Sequence, residues 1–400
     1  MEMGHSMLYI LLSGILMITT VFGRTSQNSG PNSIPSVLYM PPYVVRDNQL
    51  DLDAHGKDIT NHTNNISYIP NPPHFMFYVI FCVNCFTFTL GLVGNSLLLL
   101  VYGRNKALRT NTNTYILSIA VTDLLVTLTC ASVPILTDLA GTWPFGETTC
   151  KLSQTVMEFS TYATVLTLTA LSMERYYAVV HPIESHFSTK SMTIIVNITI
   201  WIVSCLCSIP KFMNSGIRRH RIDGIQGHTE RSYCVINQDK TDIAKYLSLF
   251  DFLVFYTIPL CVICVLYACV SRHLMQTTDH AAKSGRMSVG QIRMARMRYK
   301  VAKMVIVLSA IFFVGFMPHN ILILRLFFLE VADTYWNSAA SYAYCYGCLH
   351  FWMNPIALYV CCETIRKHFN QHLCCGFCPK KRNKTAPELP VQDLNRRASS

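Results

Sequence analysis

The sequence predicts an all-α membrane protein, a bundle of seven spanning helices followed by a short amphipathic helix 8. Three observations predict it. Seven windows are long and nearly free of charge, at residues 75–102, 115–137, 152–173, 192–213, 246–270, 301–329 and 337–362. Basic residues gather in alternate connections between them. A charged pair, Glu174-Arg175, closes the third window, where it is costly unless it stands at the inner water boundary and has a task there.

The chain of 400 residues is 51% hydrophobic and only 14% charged, against about 25% charged in soluble domains. Each window reaches the roughly 20 residues that cross about 30 Å of hydrocarbon as a helix. A soluble core does not repeat fully apolar windows of that length. The net charge of +11 would suit nucleic acid, but its placement argues for a lipid bilayer and against nucleic acid. Arg104, Lys106 and Arg109 follow the first window, and Lys190 precedes the fourth. Arg272, Lys283, Arg286, Arg293, Arg296, Arg298, Lys300 and Lys303 join the fifth to the sixth. Arg366, Lys367 and residues 380–382 follow the seventh. This is the positive-inside pattern with the amino terminus outside, so a multi-pass plasma-membrane location is expected. Arg218, Arg219 and Arg221 depart from it in the outer loop after the fourth window, as solvated surface or as a contact for an acidic ligand.

Ahead of the bundle, residues 1–23 read as a signal peptide, apolar and short although without the usual basic start. Residues 24–74 are rich in Pro, Asn and Ser and are expected to be a disordered extracellular tail, glycosylated at the sequons of Asn61 and Asn65. The bundle is expected over 75–360, and the cytoplasmic helix 8 and tail over 361–400.

Within the windows, single polar residues need reasons. Asp123 lies mid-helix, where a charge costs roughly 2.5–3.5 kcal/mol even on an insertion scale. Its candidate partners are Asn95 in the first window, Thr164 in the third, and His350 and Asn354 in the seventh. Together they would form a polar chamber for a sodium ion or water, or an inert, satisfied polar knot. Glu158 lies about two turns inward from Cys150 and, as a lone carboxylate, is expected to face a water-filled cavity and await a cation. Arg325 would face the same cavity, as a lining residue or as a standing partner of Glu158. Gln154, Asn320 and Tyr342 are further lining candidates. Pro210, Pro259, Pro318 and Pro355 each remove a backbone hydrogen bond and favour a kink, static or used as a pivot. Tyr267 and Tyr359 stand where a pivot would change their hydrogen-bond partners.

Most of the 17 cysteines lie in the windows, where they serve as small apolar side chains. Cys150 and Cys234 both face the oxidising side, so a disulfide between them is allowed. Cys374 and Cys375 follow the amphipathic stretch 363–372 and are candidates for palmitoylation, or remain free cytosolic thiols. No nucleophile–base pair or metal-ligand cluster stands out, which argues against an enzyme. A transporter or channel is disfavoured by the lack of an internal repeat and of a chain of ionisable groups through the bundle. What is left is a protein that passes a signal.

The ordered motifs resemble the rhodopsin-like, class A, G-protein-coupled receptors: Gly94-Asn95, Ala120-Val121-Thr122-Asp123, Trp143-Pro144-Phe145-Gly146, Glu174-Arg175-Tyr176, Trp201, Pro259 with Tyr267, Phe312 to Pro318, and Asn354-Pro355. The stretch 161–172 is similar to ghrelin and motilin receptors, which also have a glutamate at the place of Glu158. Asp251 to Tyr256 resembles the thyrotropin-releasing-hormone receptor, and 354–359 with 366–370 resemble bombesin receptors. The resemblance implies a secreted neuropeptide ligand, a heterotrimeric G protein with the phospholipase C and calcium branch favoured, and arrestin and receptor kinases as later partners. It implies no cofactor beyond an allosteric sodium ion, and a Cys150–Cys234 disulfide stapling the outer loop over the mouth. Glu174, Arg175, Tyr176, Tyr267, Phe316, Pro318, Asn354, Pro355 and Tyr359 would carry activation and coupling. The chain departs from the pattern at Phe316, usually Trp, at Leu358, usually Tyr, and at Arg298, where an acid often restrains the arginine of Arg175. Arg175 is therefore expected to rely on Glu174 alone, with measurable basal signalling. Met157 and Cys348 stand where amine receptors and opsins carry their ligand-binding aspartate and lysine, which disfavours both; a lipid or other non-peptide ligand is the alternative.

Overall fold

The computed structural model describes residues 74–181, 189–224, 227–236, 241–284, 289–328 and 349–373. The expected signal peptide and tail with Asn61 and Asn65, together with Tyr342, Cys374, Cys375 and the side chain of Arg325, lie outside the described residues.

Helix α1, His74–Arg104, has no acid in its first turn and ends on a basic residue. Helix α2, Asn111–Val126, begins where the Thr110 hydroxyl accepts from the Asn113 amide, a side-chain cap for one of the orphan donors of a helix start. A π turn over Thr127–Ala131 joins α2 to α3, Ser132–Ala140. The chain leaves α3 at Gly141, whose φ of 71° suits a residue without Cβ. Helix α4, Gly146–Val180, is 35 residues long, and α5, Lys190–Asn214, is capped by the Thr189 hydroxyl. Strands β1, Ser215–Gly224, and β2, Gly227–Ile236, form an antiparallel hairpin in the outer loop, paired from Ser215↔Ile236 to Gly224↔Gly227. Helix α6, Thr241–Phe252, passes through a second π turn, Leu253–Thr257, into α7, Ile258–Ser284. Helices α8, Val289–Phe328, α9, Leu349–Cys361, and α10, Glu363–Leu373, complete the described chain.

Among the described residues, five helical stretches are long and apolar enough to cross a membrane: Phe81–Arg104, Asn111–Thr137, Lys190–Asn214, Lys245–Gln276 and Met297–Leu322. The second and the fourth each contain a π turn, which the apolar windows did not reveal. On α5 the apolar side chains of Ile194, Ile195, Ile198, Ile202 and Leu206 point outward, while Ser204 and Ser208 are buried. A water-soluble protein does the reverse; here hydrocarbon is the outer solvent, and small side chains let helices approach closely.

Helix α4 is the central post, packed against α2, α5, α7 and α8. Trp201 Nε1 donates to Ser118 Oγ at 2.8 Å and ties α5 to α2. Helix α1 closes against α9, where a Cβ on Gly94 would stand 3.0 Å from Pro355 Cβ, so glycine sets the approach. Pro355 has no N–H for the carbonyl four residues before it. That carbonyl, Phe351 O, accepts instead from Asn95 Nδ2 of α1 at 2.8 Å.

At the outer end, the Cys150–Cys234 disulfide fastens β2 to the first turns of α4. The Trp143 amide donates to Ser232 O at 2.8 Å, and the Ser232 amide donates to Thr142 Oγ1 at 2.9 Å. Trp143, Cys150 and Cys234 form a small buried cluster beneath the hairpin.

Candidate functional site

Two polar clusters and one charged pair stand along α4. The outer cluster is built on Glu158. Its Oε2 lies 3.2 Å from Lys211 Nζ, in the last turn of α5, and its Oε1 accepts from the Tyr162 hydroxyl at 2.9 Å. The same hydroxyl is hydrogen-bonded to Asp251 Oδ1 of α6. The expectation that Glu158 is a lone carboxylate awaiting a cation is corrected: α5 already supplies one. The physical reason is depth. Lys211 follows Pro210 near the outer end of α5, at the level that Glu158 reaches from α4, and two charges that both leave bulk water stabilise one another there. The cluster is not sealed, with the side chains of Lys211 and Glu158 25% and 19% exposed.

The Tyr162 ring is 3% exposed and stacks on Phe255, centroids 3.7 Å apart. Phe255 belongs to the π turn that begins two residues after Asp251, and π turns recur where a helix must re-aim side chains at a site. Among the other lining candidates, Gln154 sits beside the disulfide, its Nε2 3.8 Å from Cys234 Sγ. Asn320 Nδ2 donates to the carbonyl of Phe316 in its own helix at 2.9 Å. Lys211, Tyr162 and Asp251 had no place in the expected ligand set. The available signal was that three windows each carry one charge near the same outer level.

The inner cluster surrounds Asp123, which is wholly buried and whose Oδ2 accepts from Asn354 Nδ2 at 2.8 Å. Asn95 Nδ2 also donates to Gly91 O at 3.0 Å. Thr164 bonds to Thr122 rather than to Asp123, the two hydroxyls 3.3 Å apart, because Thr122 faces α4, where Ser160 Oγ also donates to its carbonyl at 3.1 Å. His350 is buried, its ring 4.7 Å from that of Phe316 and 3.9 Å from that of Phe351. Asp123 Oδ1 and Asn95 Oδ1 are buried without a hydrogen-bond partner among the described residues. Buried acceptors without donors suit a hard monovalent cation or a water, and the residues present fit the sodium ion that the resemblance implied.

Phe316 stands between the clusters. It packs on Phe312 at 4.8 Å and on His350 at 4.7 Å, and reaches the ring of His319, itself near Glu158 and Lys211, at 6.4 Å. Tyr256, in the π turn, donates its hydroxyl to Phe313 O at 2.9 Å and links that turn to α8.

At the inner end of α4, Arg175 Nη2 lies 2.7 Å from Glu174 Oε1. Glu174 is its only acidic partner among the described residues, while Glu174 Oε2 and Arg175 Nε are buried without hydrogen bonds there. Tyr176 contacts His181 at 3.3 Å, and Tyr267 is buried with Ser172 and Arg175 among its polar neighbours. Leu358 is buried in the core, whereas the Tyr359 hydroxyl donates to Asn370 Oδ1 at 3.0 Å and fastens α9 to α10. Helix α10 buries Ile365 and Phe369. On its exposed side Lys367 lies 2.9 Å from Glu363, and its hydrogen bond and charge hold the Glu363 carboxyl below the usual range.

Comparison with known proteins adds ancestry to this geometry. The family described as 7 transmembrane receptor (rhodopsin family) matches residues 94–359. The chain is 31% identical to the Neuropeptide CCHamide-1 receptor of Drosophila melanogaster over 340 residues, 82% of this chain and 66% of that relative. It is 31% identical to Bombesin receptor subtype-3 of Ovis aries over 320 residues, 76% of this chain and 77% of that relative. These are receptors and not enzymes. The chain therefore belongs to the rhodopsin family of seven-transmembrane receptors and is a multi-pass membrane protein.

Proposed function

We propose that this chain is a plasma-membrane receptor for a secreted neuropeptide, with its amino terminus outside, that passes agonist binding to a heterotrimeric G protein of the phospholipase C and calcium branch. The observation that carries it is Arg175, held at the inner end of α4 by its sequence neighbour Glu174. A charge pair that α8 does not brace among the described residues is open to an incoming partner. The bundle has seven spans, and α10 is helix 8 on the inner surface. The peptide enters under the hairpin fastened by Cys150–Cys234 and meets Gln154, Glu158, Asn320, Arg325 and Tyr342.

Binding favours a minor state by its differential affinity for the two states and by nothing else. In that state α8 pivots outward about Pro318, Phe316 moves against His350, and Asp123, Asn354 and Pro355 rearrange with any ion held among Asn95, Thr164 and His350. Arg175, Tyr176, Tyr267 and Tyr359 then exchange partners, and the inner face accepts the G protein, followed by receptor kinases and arrestin. Glycans at Asn61 and Asn65 and acyl chains at Cys374 and Cys375 complete the picture.

The test is calcium signalling in cells that express the receptor with a promiscuous G protein, challenged with a neuropeptide library that includes CCHamide-1 and bombesin-type peptides, beside Arg175→Ala. A nanomolar response lost in the variant supports the proposal. Silence to every peptide, with surface expression proven, overturns the peptide ligand.

A further inference from the structure

The outer cluster holds one proton too few for its hydrogen bonds. The Tyr162 oxygen is hydrogen-bonded to both Glu158 Oε1 and Asp251 Oδ1. An ionised carboxylate only accepts, and a phenol has a single hydrogen to donate. One O–H can serve one acid; the other contact is a hydrogen bond when that acid carries a proton and donates it to the tyrosine oxygen. The charges say which acid. The cluster has two carboxyls and one ammonium, and the ammonium, Lys211, lies against Glu158. Among the described residues Asp251 makes no ion pair. Its titratable surroundings are Glu158 and Tyr162 of α4, Cys207 and Lys211 of α5, and His319 of α8, which neighbours Glu158 and Lys211. The neutral arrangement is therefore ionised Glu158 with Lys211, and Asp251 as an acid hydrogen-bonded to Tyr162.

We propose that Asp251 is a cation subsite of the ligand cavity, occupied by a proton until an ammonium or guanidinium group of a ligand replaces it. On binding, the Asp251 O–H bond breaks, its proton leaves to solvent, and the carboxylate accepts from the ligand cation while Tyr162 turns its own hydrogen to one of the two acids. Phe255, stacked on Tyr162, holds the ring in place through the exchange. This deepens the receptor reading and rests on it, and it moves the ligand's charge partner from Glu158, which already has Lys211, to Asp251. The ligand class is a peptide that presents a cationic group to the outer half of α6.

The first arm needs no ligand. The infrared carboxylic-acid C=O band of the full-length receptor in lipid nanodiscs is compared with that of Asp251→Asn. Loss of one component is expected; a band identical in the two proteins overturns the proposal. Should Asp251→Asn fail to fold, Tyr162→Phe takes its place, where the same component must shift as its hydrogen-bond partner disappears; an unshifted band is equally fatal. The second arm uses matched library peptides, each with its amines and guanidines free and with them acetylated or replaced by citrulline. On the wild-type receptor, neutralising the relevant group lowers potency roughly 10- to 100-fold, the size expected for losing a charge-assisted hydrogen bond. On Asp251→Asn the two members of the pair become nearly equal. Equal discrimination on both receptors sinks the cation subsite. If no peptide activates the wild type at all, the receptor reading fails there, and the infrared arm still decides whether Asp251 holds the proton.

Discussion

The outer and inner clusters solve one problem, a carboxylate inside a membrane bundle, by opposite means. Around Glu158 the answer is charge against charge, with Lys211 and Tyr162 at hand and part of the site open. Around Asp123 there is no basic residue among the described hydrogen-bond partners; one amide, that of Asn354, donates to the carboxylate, and the site is closed. An open site with internal countercharge can exchange its partner for a ligand's charge at modest cost, because water attends the exchange. A closed site with too few donors cannot, and it responds by rearranging. Under the proposed function, the difference suits the outer cluster to reception and the inner one to switching.

The comparison breaks most easily at Asn354. Asn354→Leu removes the one protein donor that the Asp123 carboxylate has among the described residues, and the expected loss is about 3 kcal/mol, seen as a lower melting temperature in detergent and poor surface delivery; unchanged melting would mean that Asp123 is not closed in. Lys211→Met removes the outer countercharge but leaves a site that solvent reaches, so the expected loss is smaller, about 1–2 kcal/mol. A second change, Glu158→Gln, should restore most of it, and a double-mutant cycle showing no coupling would dissolve the ion pair as a structural element. The smallest effect is at the inner surface. Tyr359→Phe loses one exposed hydrogen bond to Asn370, worth about 0.5–1 kcal/mol, and should loosen α10, read as faster amide exchange there, without touching either cluster. Signalling in the absence of agonist sharpens the same contrast. Arg298→Glu places an acid where α8 has a base and should lower basal calcium signalling, whereas equal basal activity at matched expression would show that α8 does not reach Arg175.

Much of this was legible in the sequence. Charge scarcity marked the spans, compartment and motif together marked Cys150 and Cys234, and the cost of a mid-membrane Asp123 demanded inward partners. Pro355 announced a missing N–H, although nothing local said that Asn95 would reach the freed carbonyl from α1. The rest was hidden for physical reasons. The π turns at Thr127–Ala131 and Leu253–Thr257 have no compositional signature, since a widened turn depends on what packs beside it. Lys211 looked like an ordinary basic residue at a helix end, and its pairing with Glu158 depends on how deep two helices sit relative to one another. Tyr162, in a run of threonines, alanines and leucines, gave no hint that it would stand between two acids.

One seam has a consequence for how the protein is made. Gly94 meets Pro355, Asn95 reaches Phe351 across 256 residues, and Asn354 reaches Asp123 across 231. The ribosome delivers the early halves of these pairs long before the late ones. Until the last span arrives, Asn95 has only the Gly91 carbonyl of its own helix and Asp123 lacks its Asn354 donor, so an unfinished or frameshifted chain exposes unsatisfied polar groups to lipid. The same polar knot that the proposed function uses for switching is thus completed only in a chain that has been made through its last span.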